Sequence, residues 1–358
     1  MVDRIFRKAI GLGVGRGGQG FLRLCCAVLL AQGLAGAAAA AEFYAGKTIT
    51  MSTHTGPGGG YDTYLRLLAA HFGKHIPGNP KFIVVNQPGA GGIRAINYAG
   101  RIAAQDGTFL TLASQGIFLQ QAIGGEGLQV SLDDFKWLGN FVQSNDVIAT
   151  WYTAPVKNFA EARAHEVTLG TTGAAAVSGQ LPLLFNALVG TKFKLIRGYQ
   201  DSGQMNIAME RGEIDGRGAN MWATYRLTNP NEIRDGKIRP LVQLGFVREP
   251  DLPNVPLLIE LVKGDPKKEA IARFVTLAQD SARPLAAPPG VPADRVAMLR
   301  RAFDATMKDP QFLAGAAKFR LEISPLTGEE VQKAVHEVLT TPKDVVAATR
   351  AVLADALR

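Results

Sequence analysis

Three short stretches carry residue types suited to holding an anion. "GPGGGYD" runs from Gly56 to Asp62, "QPGAGG" from Gln87 to Gly92, and "GTTGAAAVSG" from Gly170 to Gly179. Glycine loses more backbone freedom on folding than any other residue, so a run of it signals a backbone task. A helix N-terminus offers unpaired N–H groups and a partial positive charge, and residues without side chains let a ligand oxygen reach them. Gly58, Gly59, Gly60 and Tyr61 in the first loop, with Gly89, Ala90 and Gly91 in the second, are the candidate cradle. One such loop equally serves a tight turn. Two of them at one sheet edge can grip a carboxylate from both sides.

The recognised catalytic patterns are missing. There is no G-x-S-x-G, since Ser114 sits in "LASQG", and neither a Walker lysine nor H-E-x-x-H occurs. His71 and His75 are spaced for one helix face, but no third metal ligand accompanies them. Asp62 has two readings, a general base or a cap accepting an early helix N–H. His54 stands just before the first loop and Gln115 ends a strand, so both are placed to touch a ligand. On the opposite side, Thr171, Thr172 and Ser178 flank a helix start and suit a second carboxylate or a hydroxyl. Arg217, between glycines in "IDGRGAN", either enters the cleft for a bidentate carboxylate bond or is a solvated surface charge.

The loops need elements to hold them. "TITMS" (48–52), "FIVVN" (82–86) and "TFLTLAS" (108–114) read as strands. The second is apolar enough for a strand covered on both faces. Helical periodicity lies between them, with Tyr61, Tyr64, Leu65, Leu68, Phe72 and Ile76 on one face. Strand, glycine loop and helix, repeated, predict βαβ units in a parallel sheet with both loops at its carboxyl edge. A second unit follows: strands at 166–173, 192–199, 214–222 and 237–246, with helices at 178–190 and 203–213. A proline-rich turn and a helix occupy 283–307.

Residues 1–41 read as a secretory signal: a basic start, the apolar "FLRLCCAVLLAQGLAG", and an Ala-x-Ala site before Glu42. Cleavage there removes both cysteines and lowers the formal charge from +8 to about +4, so the basic pI is not a nucleic-acid signal. "GVGRGG" (13–18) follows no strand and leaves with the same segment. The remaining 317 of 358 residues favour two domains.

"PGGGYDTYLRLLA" followed by "VVNQPGAGGIRAINYAGRIAAQDGTFL" resembles the receptors of tripartite tricarboxylate transporters, the Bug-type solute-binding proteins. "GYQDSGQMNIAMERGEIDG", "LPNVPLLIEL" and "APPGVP" extend the match in order over nearly all of the chain after residue 41. Where the family usually has V-P-Y, this chain has "IRGY", which places Tyr199 on the family's tyrosine.

The resemblance implies an α/β, two-domain periplasmic binding fold of the type II-like, Venus-flytrap kind, each domain a mainly parallel sheet flanked by helices. Residues 42–148 with 249–358 are expected to form the carboxylate-cradling domain, and 149–248 the closing domain. The expected function is capture of a small organic carboxylate in the cleft and delivery to transporter membrane subunits from the periplasm. No cofactor, metal or nucleic acid is expected, and the chain is read as a monomer. The far side's hydroxyls, tyrosine and Arg217, with ring surface from His54, Tyr61 and Trp222, favour a dicarboxylate or an aromatic carboxylate over a tricarboxylate. A sensory receptor for a membrane kinase and an exported enzyme acting on small acids stand as alternatives.

Overall fold

The computed structural model describes residues 43–357; the expected signal segment and both cysteines lie outside them. Among the described residues eleven strands form two sheets, in the orders β11-β4-β10-β3-β1-β2 and β7-β6-β8-β5-β9. In the first sheet β1 is Thr48–Thr53, β2 Lys81–Asn86, β3 Phe109–Leu112, β4 Lys136–Asn140, β10 Pro284–Ala287 and β11 Leu326–Thr327. In the second, β5 is Asp146–Trp151, β6 Val167–Thr171, β7 Phe193–Arg197, β8 Gly216–Met221 and β9 Ile238–Leu244.

The expected βαβ units are present. β1 pairs in parallel with β2 and β3, and β6 with β7 and β8. Each sheet also holds strands that run the opposite way: β10 and β11 in the first, and β5 in the second, with β9 pairing antiparallel to β5 at the edge. The chain passes between sheets at 141–145 and again after Leu244, so the expected division at 148/149 falls inside β5. β2 is an edge strand, not a doubly covered one, and Ile83 on it is 54% exposed.

Helix Gly60–His71 buries Tyr64, Leu65 and Leu68, and Phe72 and Ile76 in the turn beyond continue the same apolar face. Each fully buried leucine of this kind contributes about 1.5–3 kcal/mol. Helix Val177–Val189 is apolar almost all round, because the C-terminal helix Lys343–Leu357 covers the face that the second sheet leaves free. The C-terminal helix also packs on helix Pro266–Gln279 and so ties the two lobes together.

Antiparallel return has a consequence for the cleft. β10 runs against β3, with Leu285 opposite Leu112, so its first residue arrives where the parallel strands of the first sheet end. β5 runs against β8, with Asp146 opposite Met221, so it likewise begins where β8 ends. Ligands of open α/β sheets bind at such carboxyl edges. Each return strand thus delivers its opening residue, Arg283 just before β10 and Asp146 in β5, to the site.

Candidate functional site

A cavity of about 70 Å³ lies between the carboxyl edges of the two sheets. The first lobe contributes His54, Gly59, Gly60, Tyr61, Ser114, Gln115 and Arg283, and the second Asp146, Thr172, Ser178, Asp201, Asn220 and Thr224, with Met205, Ala219 and Met221 among the apolar remainder. Among the described residues, Arg283 is the only one lining the cavity with a permanent positive charge.

Arg283 is fully buried, with its guanidinium carbon 4.2 Å from the Tyr61 ring centre and 4.8 Å from that of Tyr64. Its Nη2 donates to Thr224 Oγ1, while Nε and Nη1 have no hydrogen-bond partner in the protein. A buried cation with two unused donors calls for an anion, because leaving such groups unsatisfied is costly. Gly60 makes room for this arrangement. A Cβ there would lie 2.5 Å from Arg283 Nη2 and 2.9 Å from Thr224 Oγ1. The last glycine of the first loop thus admits a side chain from another strand as well as standing at the cavity wall.

Gln115 links the two lobes. Its Oε1 lies 3.4 Å from the Tyr61 hydroxyl, and its Nε2 donates to Asp146 Oδ2. The Tyr61 hydroxyl itself donates to the Ala282 carbonyl at 3.0 Å. Burial pushes the Asp146 carboxyl up to about 8, against the opposing pull of Arg283 and Gln115. Burial also lowers His54 to about 4, helped by Arg283, so its ring is neutral at pH 7. Its Nδ1 has no partner, and the ring meets Tyr61 edge-on at 4.3 Å. Burial holds Tyr61 up at about 12.

Of the residues singled out in the sequence, His54, Gly59, Gly60, Tyr61, Gln115, Thr172 and Ser178 meet at this cavity. Thr171 stands behind it, with its Oγ1 3.0 Å from Ser178 Oγ. Gly58 is turned away, since its N–H donates to Asp62 Oδ2 at 2.9 Å. Asp62 therefore clamps the loop rather than serving as a base. Burial would raise its carboxyl, but Arg66, the Gly58 N–H and Asn86 together hold it below the usual range.

Gly89, Ala90 and Gly91 do not line the cavity. Ala90 and Gly91 abut the second lobe, whereas a Cβ on Gly89 would meet only Arg94; a Cβ on Gly91 would lie 2.8 Å from the Ala175 carbonyl carbon, at a backbone φ of +65°. The second glycine loop is a backbone contact between lobes. Ala90 borders a separate crevice shared with Ala174, Ala175 and Arg350. Tyr199 packs half-buried against the second lobe's core.

Arg217 neither enters the cavity nor faces solvent. It is fully buried, 3.8 Å over the Tyr225 ring, with Nη2 donating to Asn229 Oδ1 at 3.2 Å. Side chains alternate along a strand, so Arg217 points opposite to its flanking glycines. Gly218 is there to admit the Ser178 carbonyl, not to open a path for the arginine. Trp222 is also engaged elsewhere, its indole N–H donating to Asp251 Oδ2 at 2.7 Å. His75 Nε2 lies 2.7 Å from Asp309 Oδ2, and the His71 ring meets Phe312, so each imidazole has a packing or pairing partner of its own.

The family model described as the tripartite tricarboxylate transporter family receptor matches residues 66–350. The chain belongs to that family. A UPF0065 protein of Agrobacterium vitis, from the TAR-I ttuE-ttuC' intergenic region, is 27% identical over 299 residues, covering 81% of this chain and 80% of that protein. Among solved structures, the periplasmic binding protein BugD superposes with a TM-score of 0.68 at 19% identity, over 86% of this chain and 97% of its own. MatC of Rhodopseudomonas palustris, with bound malate, gives 0.66 at 22% identity, over 84% and 99%. A second R. palustris protein, with adipate, gives 0.66 at 18% identity, over 85% and 97%. These likenesses show the two-domain periplasmic binding fold. Among the described residues, no helix of this receptor is long and apolar enough to cross a membrane.

Three charged residues of the receptor's cleft went unread in its sequence, Arg283, Asp146 and Asp201. The signal for the first is compositional: from Ser281 to Ala293, Arg283 is the only charged residue. Asp146 likewise opens the uncharged run "VIATWYTAPV". A lone charge at the start of a buried strand sits where the strand leaves the core, which in this fold is the cleft edge.

Proposed function

We propose that this chain is an exported receptor that captures a small organic carboxylate in the interlobe cleft and delivers it to the membrane subunits of a tripartite tricarboxylate-type transporter. The observation that carries the reading is Arg283, a fully buried guanidinium in the cavity wall with two N–H-bearing atoms lacking protein partners. The malate and adipate held by the two R. palustris proteins of the same fold agree with a carboxylate.

The ligand's carboxylate sits on Arg283, with the Gly59 and Gly60 backbone and the Tyr61 and Gln115 side chains around it. Thr172 and Ser178 meet it from the other lobe, and Thr171 orients Ser178. The lobe built on the first sheet acts as the anchoring lobe and the lobe built on the second sheet, from Asp146 to Leu244, as the closing lobe, turning about 141–145 and the segment after Leu244. Gly91 and its neighbours form the seam that shuts.

A thermal-shift series on refolded, ligand-free protein tests this, with monocarboxylates, dicarboxylates, amino acids and uncharged sugars. Ligand at a hundred times its Kd adds about 2.7 kcal/mol. Stabilisation by a small carboxylic acid and by no sugar is the expected result. A flat response to every acid, or stabilisation by sugars alone, overturns the reading.

A further inference from the structure

We infer that the ligand is a small amino acid bound as its zwitterion, with its carboxylate on Arg283 and its ammonium on Asp146. The inference rests on the carboxylate reading above and narrows it. It departs from the dicarboxylate or aromatic acid expected from the sequence: of the groups that supported those, Arg217, Tyr199 and Trp222 lie outside the cavity, while His54, Tyr61, Thr172 and Ser178 line it.

Charge balance is the first ground. The lining contains one permanent cation, Arg283, and two carboxyl groups, Asp146 and Asp201. A dianion would find no second cation among the described lining residues, and each buried charge needs a partner. A zwitterion meets both signs. The second ground is the state of Asp146. It is only 3% exposed, and its Oδ2 accepts from the Gln115 amide. The Arg283 side chain makes its one protein hydrogen bond to Thr224 and forms no ion pair with Asp146. A buried carboxyl with no cation hydrogen-bonded to it is a place for one.

The arrangement gives amino acids a proton signature. The groups acting on Asp146 are Arg283 and Gln115 from the first lobe, and it acts in turn on Tyr61 and Tyr225, both neutral below pH 10. In the free protein the carboxyl, at about 8, holds its proton at pH 7. An arriving ammonium favours the carboxylate and expels that proton. Affinity for an amino acid therefore rises about tenfold per pH unit up to about pH 8 and then levels. A diacid favours the protonated form, and its affinity falls above that pH.

Calorimetry on the refolded chain, in buffers of differing ionisation enthalpy at pH 7, with glycine, L-alanine, L-serine, lactate, succinate and malate, reads this directly. The inference expects an amino acid to bind with release of close to one proton, and the Asp146→Asn variant to bind it about thirtyfold or more weakly without that release. Binding of diacids or lactate with no amino acid bound overturns the inference and leaves the carboxylate reading standing. Binding of an amino acid with no proton release by the wild type overturns the role of Asp146, whether or not the variant folds. No binding by any acid overturns both readings.

Discussion

Replacing Arg283 with methionine separates a ligand-holding arginine from a structural one. In the free protein its contributions oppose each other. Two guanidinium nitrogens without partners cost about 1–3 kcal/mol each. The bond to Thr224 and the stacking on Tyr61 and Tyr64 return about 0.5–3 kcal/mol apiece. Methionine keeps much of the apolar stem, so the ligand-free variant should unfold within about 2 kcal/mol of the wild type. In the complex the same nitrogens meet a carboxylate. Truncating one partner of a buried charge pair costs about 2–5 kcal/mol, or about 30-fold to 4,000-fold in Kd. The assay pairs denaturant unfolding of both proteins with calorimetric titration of the acid that stabilises the wild type. An affinity within about threefold of wild type refutes the ligand role. Lost binding together with a stability loss above about 5 kcal/mol makes the arginine a structural residue instead.

Four further outcomes follow from the geometry. Gly91→Val places a Cβ against the Ala175–Ala176 backbone at a φ of +65°, so small-angle scattering should show a variant that stays extended under ligand that compacts the wild type; equal compaction contradicts the seam. Gly58→Ala meets nothing within 4 Å and its N–H is held by Asp62, so it should cost about 1 kcal/mol for its φ of +85° and leave Kd unchanged in a titration. Asp146 has a folded pKa raised to about 8, so its contribution is full below pH 3.8 and is lost as pH rises to 8; Asp146→Asn should gain stability over that window, up to about 5 kcal/mol by pH 8, in urea melts across the range. His54 has a folded pKa lowered to about 4, so its contribution is present above pH 6.5 and is lost as pH falls to 4; His54→Gln should remove about 3 kcal/mol of acid sensitivity from the same melts.

The parallel half of each sheet was legible because strand, glycine loop and helix recur within short stretches. Most of the antiparallel half was not, β9 excepted, which lies within the strand read at 237–246. β4, β5 and β10 are four to six residues long, and β10 finds its partners far along the chain, Leu285 against both Leu112 and Gly139. No local period reports such a pairing. The glycine loops were found for a sound reason and given too narrow a task. Their missing side chains admit Arg283 at Gly60 and the opposite lobe at Gly91, which are facts of closure that one chain segment cannot display. Arg217 was misplaced because flanking glycines suggest access, whereas strand alternation sent its side chain to the far face and onto Tyr225.

The most direct test of a carboxylate held by a buried arginine compares an acid with its own primary amide. The two are nearly equal in size and shape and differ in charge. Refolded protein is titrated at pH 7 with the best-binding small acid and then with the amide of the carboxyl that faces Arg283. The account predicts micromolar binding of the acid and at least about thirtyfold weaker binding of the amide. Equal affinity for the two would contradict it.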